Sequence, residues 1–220
     1  MPGIKTFFLI AGLGNPGDEY RDYRHNVGVC AGEGLAKECG LIWREGPGPM
    51  LSAQGPLADR QVLLIKPQTF MNLSGQALKH AASRANLNLE TDLDRILVLH
   101  DDLDLDLGRL QVRRGGGDGG HRGIRSAIAE LGASDFARIR MGVGRPPEEG
   151  ETVDHVLSGF SAEEMPKAEA MAQRAVEASM AWMREGLKLA MNRFNPWKKP
   201  KPKMDETSNN VGQESGDSTP

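Results

Sequence analysis

The sequence predicts one α/β domain over residues 1–195, a mixed central β-sheet flanked by helices, followed by a disordered tail over residues 196–220. Three observations predict it. Short apolar runs bounded by turn residues alternate with segments of helical periodicity. A chain of 220 residues, 39% of them hydrophobic, can bury a sizeable single core. At Pro196 the composition shifts to KKPKPK and then to a Ser/Asn/Gly/Asp stretch that has too little apolar surface to fold.

The elements follow in order. Residues 6–11 (TFFLIA) form a buried strand. Residues 26–39 form a helix, with Val27, Ala31 and Leu35 four apart and Gly40 as the stop. QVLLIK (61–66) is a second strand and 73–84 a second helix. RILVLH (95–100) is a strand, and 110–113 a short one. A helix over 121–131 is stopped by Gly132. In the strand ARIRMGV (137–143) apolar residues alternate with Arg or Gly. Residues 153–160 form an irregular connector. A last long helix opens on the capping box Ser161/Glu164 and carries Met165, Met171, Val176, Met183 and Leu187 on one face.

Composition excludes several classes. Two cysteines, Cys30 and Cys39, make no disulfide framework, so a reducing cytoplasm is expected. The chain has no apolar run of about 18 residues that could span a membrane. Its first residues enter a strand at once, which leaves no room for a targeting peptide. The net charge of -3 conceals a local excess: residues 108–145 hold eight arginines against Asp118, Glu130 and Asp135. A basic surface of this kind suits a phosphate-bearing partner.

Three motifs invite readings that fail. Gly12-Leu13-Gly14-Asn15-Pro16-Gly17 matches G-x-G-x-x-G, yet Pro16 and the polar DEYRDYRHN replace the helix that should face a pyrophosphate. RGGGDGGHRG has P-loop glycine spacing, but His121 and Arg122 stand where Lys and Ser/Thr belong. Its glycines still let main-chain N–H groups approach an anion at the helix start. HDDLDLDLGR offers three aspartates at calcium-loop spacing, with Leu107 and Arg113 in place of the required Gly and Glu.

What survives is a set of polar residues at strand and helix ends: Asn15, His25, Met71-Asn72, His100-Asp101 and His121. Such positions converge at the carboxyl edge of an α/β sheet. A neutral histidine beside an aspartate is a general base, and with no Ser or Cys nucleophile placed to join it, the attacking group is water.

GLGNPGDEYRDYRHNVG, KPQTFMNLSG, LVLHDDLDLDLG and GGGDGGHRGIRS resemble, in order, the signature blocks of the bacterial peptidyl-tRNA hydrolase family, over about residues 7 to 195. The resemblance implies an esterase that cleaves the bond between a peptide and the 3′ end of tRNA, without metal or cofactor. It implies His25 as general base, Asp101 as its orienting carboxylate, and Asn72 as the group that holds the water or the oxyanion. Asn15, Tyr20, Met71, His121 and Arg122 would contact substrate, and Arg113 and Arg140 would clamp the 5′ phosphate of the tRNA. The partner is peptidyl-tRNA, and a cytoplasmic monomer is expected. Arg122 departs from the Asn that commonly follows the histidine of this glycine block. Two rivals remain: a non-catalytic RNA-binding relative, such as a splicing factor, and a hydrolase of another ester. With His25, Asp101, Asn15 and Asn72 all present, the enzyme reading is preferred, and activity should fall as His25 protonates.

Overall fold

The computed structural model describes residues 7–57, 60–146 and 151–197. Seven strands form one sheet: β1 (Phe7–Gly12), β2 (Arg44–Glu45), β3 (Met50–Leu57), β4 (Arg60–Pro67), β5 (Ile96–Asp102), β6 (Leu110–Arg114) and β7 (Ala137–Gly142). Their order is β2-β3-β4-β1-β5-β7-β6. The inner four, β4, β1, β5 and β7, run parallel, while β2, β3 and β6 are antiparallel to their neighbours. The chain leaves β1 toward β4 and returns across it to β5. The carboxyl ends of β4, β1 and β5 therefore open a crevice at the switch point, where α/β sheets bind ligands.

Strand residues alternate between two helical layers. Ile10, Leu64, Leu97, Leu99 and Ile139 face α1 (Val27–Glu38), α5 (Met165–Glu185) and α6 (Leu187–Phe194). Leu9, Ala11, Leu63, Ile65, Ile96 and Val98 face α2 (Ser74–Arg84) and α3 (Arg122–Leu131). α1 can lie close to the sheet because two glycines meet. A Cβ on Gly12 would sit 2.4 Å from the Gly28 carbonyl oxygen, and one on Gly28 would sit 2.4 Å from that of Leu99. The first glycine of the G-x-G-x-x-G match thus serves helix packing. At the other end of the sheet, edge strand β6 is capped by Asn195, whose amide exchanges hydrogen bonds of 2.7 and 2.9 Å with the main chain of Val112.

Most expected elements form within one or two residues of their expected bounds. β2 and β3 are additions. Gly55-Pro56 reads as a breaker in sequence, yet β3 pairs with β4 along its whole length. The connector expected over 153–160 contains a short helix, α4 (Thr152–Val156). The last helix is interrupted at Gly186, which adopts φ +87°, so Leu187 belongs to α6. The capping box does form: Ser161 N–H donates to Glu164 Oε2 (2.9 Å) and Glu164 N–H to Ser161 Oγ (3.3 Å), one turn before α5 begins. No helix among the described residues is long and apolar enough to cross a membrane. Residues 1–6 lie outside the described residues, as does the expected tail 196–220 from Lys198 onward with its basic KKPKPK; its first two residues, Pro196 and Trp197, are described, and Trp197 is half-buried.

Candidate active site

His25 sits in a single 3-10 turn (Arg24–Asn26) that leads into α1. Its neighbour Asn26 is buried and builds the loop after β1. Asn26 Oδ1 accepts from Asn15 N–H and Asn26 Nδ2 donates to the Asn15 carbonyl, both at 2.9 Å. The Asn15 side chain then accepts from Met71 N–H through Oδ1 (2.8 Å). Asn15 itself lines the cleft, and with Oδ1 so engaged its NH2 is left to donate. Sequence reasoning missed Asn26, which ties the His25, Asn15 and Met71 segments together.

Asp101 is the penultimate residue of β5 and is buried, 2% exposed. Its Oδ1 lies 2.8 Å from His25 Nδ1 and 2.9 Å from His121 Nε2. Burial alone would raise this carboxyl. The His121 and His25 rings outweigh it and hold Asp101 far below the usual carboxylate range. An ionised carboxylate only accepts, so both facing ring nitrogens carry protons. For His121 a second observation agrees. It caps α3, and its Nδ1 accepts from Gly123 N–H (3.1 Å) and Ile124 N–H (3.2 Å). His121 is therefore the Nε2–H tautomer and His25 the Nδ1–H tautomer, which leaves His25 Nε2 as a bare lone pair.

The same three residues bring donor atoms within 4.8 Å of one another, a spacing that metal sites use. The helix cap argues for protons there. A metal on His121 Nε2 would move the proton to Nδ1, against the two main-chain N–H groups. His121 also differs from its expected part as an open anion site at the start of a helix: its own ring takes two of those donors. Behind it, His100 donates from Nδ1 to the Asp101 carbonyl (2.7 Å). Burial, with His121 beside it, drives the His100 imidazole well below the ordinary histidine value, so it stays neutral.

The site opens into a cleft of about 420 Å3. Asn15, His25, Met71, Asn72, Asp101, His121 and Arg122 all line it, as expected. Phe70, Leu103, Val153, Val156 and Leu157 supply apolar wall, so α4 and the turn after it close one side. Tyr20 is not among the lining residues; it packs edge-on against Tyr23, ring centroids 5.5 Å apart. Asp102 and Arg145 line the cleft without having been singled out in the sequence. Their signal was the alternation at the end of β5 and the arginine just past β7.

The arginine-rich segment is less open than its composition suggests. Arg140 donates from Nε to Asp102 Oδ2 (2.5 Å) and from Nη1 to Gln111 Oε1 (2.6 Å). Arg145 pairs with Asp104, Arg125 with Asp118, and Arg114 with Asp135. Arg138 is buried and donates to the carbonyls of Gly116, Gly117 and Ser134, which anchors the glycine loop. Burial, together with the Arg113 and Arg140 charges, lowers its guanidinium to about 10. Arg113 lies over Gly116, opposite Arg138 in the β6–β7 register. Arg113 and Arg122 make no ion pair among the described residues.

The family model for peptidyl-tRNA hydrolase matches residues 9–204. The chain belongs to the peptidyl-tRNA hydrolase family. It is 43% identical over 188 residues to the peptidyl-tRNA hydrolase of Caldanaerobacter subterraneus, covering 86% of this chain and 99% of that one. It is 42% identical over 189 residues to that of Chloroflexus aggregans, with the same coverage. The crystal structure of peptidyl-tRNA hydrolase from Acinetobacter baumannii superposes with a TM-score of 0.80 at 31% identity, covering 90% of this chain and 99% of that one. A peptidyl-tRNA hydrolase in complex with N-propanol superposes with a TM-score of 0.81 at 32% identity, covering 88% and 97%. The family match runs past residue 195, the expected domain end.

Within this peptidyl-tRNA hydrolase fold the departure at Arg122 falls at a junction. Arg122 is exposed and lines both the cleft and a shallow groove between α2 and α3, beside Asn72, Gln76 and Arg125.

Proposed function

We propose that the chain hydrolyses the ester joining a peptide, or an N-blocked amino acid, to the 3′ end of tRNA, releasing free tRNA. The observation that carries this reading is the His25–Asp101 pair, whose bare Nε2 belongs to a cleft in a peptidyl-tRNA hydrolase fold. Water gives a proton to His25 Nε2 as its oxygen bonds to the ester carbonyl carbon. The carbonyl oxygen becomes an oxyanion, held by the Asn72 amide and the Asn15 NH2. The intermediate collapses, the bond to the ribose oxygen breaks, and His25 returns its proton to that oxygen. Asp101 stabilises the imidazolium in between, and His121 holds the same Asp101 oxygen in place.

Arg113 and Arg140 clamp the 5′ phosphate, a contact that orients any tRNA without reading its sequence. Arg122 meets the 3′ end of the tRNA, and the apolar wall from Phe70 to Leu157 receives the peptide. The enzyme acts as a cytoplasmic monomer, in keeping with a translational substrate and two free thiols.

The test is hydrolysis of a purified N-blocked aminoacyl-tRNA by wild type and His25→Ala, with tRNA binding measured for both. Wild type should cleave, and the variant should lose roughly a hundredfold or more while still binding. If neither cleaves and both bind, the chain is a non-catalytic RNA-binding relative.

A further inference from the structure

Asp101 and Asp102 close β5 on opposite faces of the sheet. Asp101 holds the two histidines. Asp102 is committed elsewhere: its Oδ1 accepts from Asp104 N–H (2.9 Å) and its Oδ2 from Arg140 Nε (2.5 Å). The pair is well shielded, with side chains 17% and 13% exposed for Arg140 and Asp102. In the β6–β7 register Arg113 lies opposite Arg138 and Gln111 opposite Arg140, so Arg113 and Arg140 share one face. Of the three clustered arginines, 113, 138 and 140, Arg140 alone is paired with a carboxylate among the described residues. A phosphate bridging Arg113 and Arg140 must therefore displace Asp102 or share the Arg140 guanidinium with it.

We propose that Asp102 is a built-in competitor for the phosphate clamp, weakening its hold so that product tRNA can leave. This rests on the clamp assigned above to Arg113 and Arg140. Substrate and product carry the same 5′ phosphate, so affinity at that point is uniform binding and adds nothing to the chemical step. Excess affinity would only slow release of the tRNA. A carboxylate beside Arg140 offsets part of the phosphate's charge-assisted contact and holds the guanidinium in place when no phosphate is bound. Asp102 thus tunes the clamp from the same strand end that carries the catalytic carboxylate.

The experiment measures the inhibition constant of deacylated tRNA bearing a 5′ phosphate, against the same tRNA after phosphatase treatment, on full-length protein. Asp102→Asn keeps the acceptor for Asp104 N–H and removes the charge. Gln111→Glu keeps the acceptor for Arg140 Nη1 and adds one. The proposal expects the preference for 5′-phosphorylated tRNA to rise roughly fivefold to tenfold in Asp102→Asn, the scale of one partly shielded charge contact. It expects that preference to fall in Gln111→Glu. Equal tightening of both tRNAs in Asp102→Asn would reduce Asp102 to part of the general surface field and overturn the proposal. Weaker binding of phosphorylated tRNA would make Asp102 an orienting partner of Arg140, which also overturns it. If Asp102→Asn does not fold, Gln111→Glu decides alone by its opposite sign. If wild type itself binds the two tRNAs equally, the clamp reading fails, and the competitor with it.

Discussion

Asp101→Asn isolates the charge at the centre of the site. The substitution is isosteric, and its Oδ1 can still accept from His25 Nδ1 and His121 Nε2, so ring positions should hold. What disappears is the negative charge that stabilises His25 once it has taken the proton from water. The carboxylate oxygen lies 2.8 Å from Nδ1, which puts the imidazolium charge about 4 Å away. At the effective dielectric of about 20 that suits protein sites, two unit charges at about 4 Å interact by about 4 kcal/mol. That corresponds to about a thousandfold in rate. The assay is single-turnover hydrolysis of an N-blocked aminoacyl-tRNA at saturating enzyme, with tRNA affinity measured in parallel. The expected result is a fall of about three powers of ten with affinity changed less than a few fold. A loss below about tenfold would mean that Asp101 only orients His25 and does not stabilise its charge.

Other outcomes follow from particular contacts. Arg122→Asn, at the junction of cleft and groove, should change the Michaelis constant more than turnover; a large gain in turnover would mean that Arg122 impairs the chemistry. Asn26→Ala removes two hydrogen bonds to the Asn15 main chain and leaves that buried loop unpaired, so unfolding should show a loss of about 2 to 3 kcal/mol. Unchanged stability would mean that water replaces the amide. Arg24 is buried, stacked on Phe160 and paired with Glu164 at 2.6 Å. The Arg24 hydrogen bond holds the Glu164 carboxyl below its ordinary value. Its stabilisation is therefore present above the unfolded carboxylate range and is lost as pH falls. Glu164→Gln should cost about 2 kcal/mol at neutral pH, where a buried guanidinium loses its counter-charge. Melting curves of variant and wild type should converge as pH falls through and below the ordinary carboxylate range; a gap independent of pH would count against the ion pair.

Local signals carried the parallel core of the fold. Apolar runs with turn residues at both ends marked β1, β4, β5 and β7, and Gly132 marked the end of α3. β3 was not legible because its Gly55 and Pro56 break the local pattern, and only pairing with β4 makes it a strand. The break at Gly186 depends on one backbone angle inside an otherwise continuous helical pattern. In the site, His25, Asn15, Asn72 and Asp101 stood out because polar residues at strand ends have few structural uses. The role of His121 did not, because its ring both caps α3 and reaches Asp101, a long-range arrangement that no spacing encodes. Asp102 stands out in the sequence only as one of the three aspartates of the failed calcium-loop match. Its partner lies 38 residues away on β7, in contact only because β5 and β7 are neighbours.

To act as the base, His25 must carry its lone pair on Nε2. Nitrogen-15 correlation spectra of the imidazole rings read both tautomers directly. Opposite tautomers are expected: the His25 proton on Nδ1 and the His121 proton on Nε2. Asp101→Asn should leave both assignments in place. A His25 ring protonated on Nε2 would turn its lone pair toward Asp101 and leave no base facing the cleft.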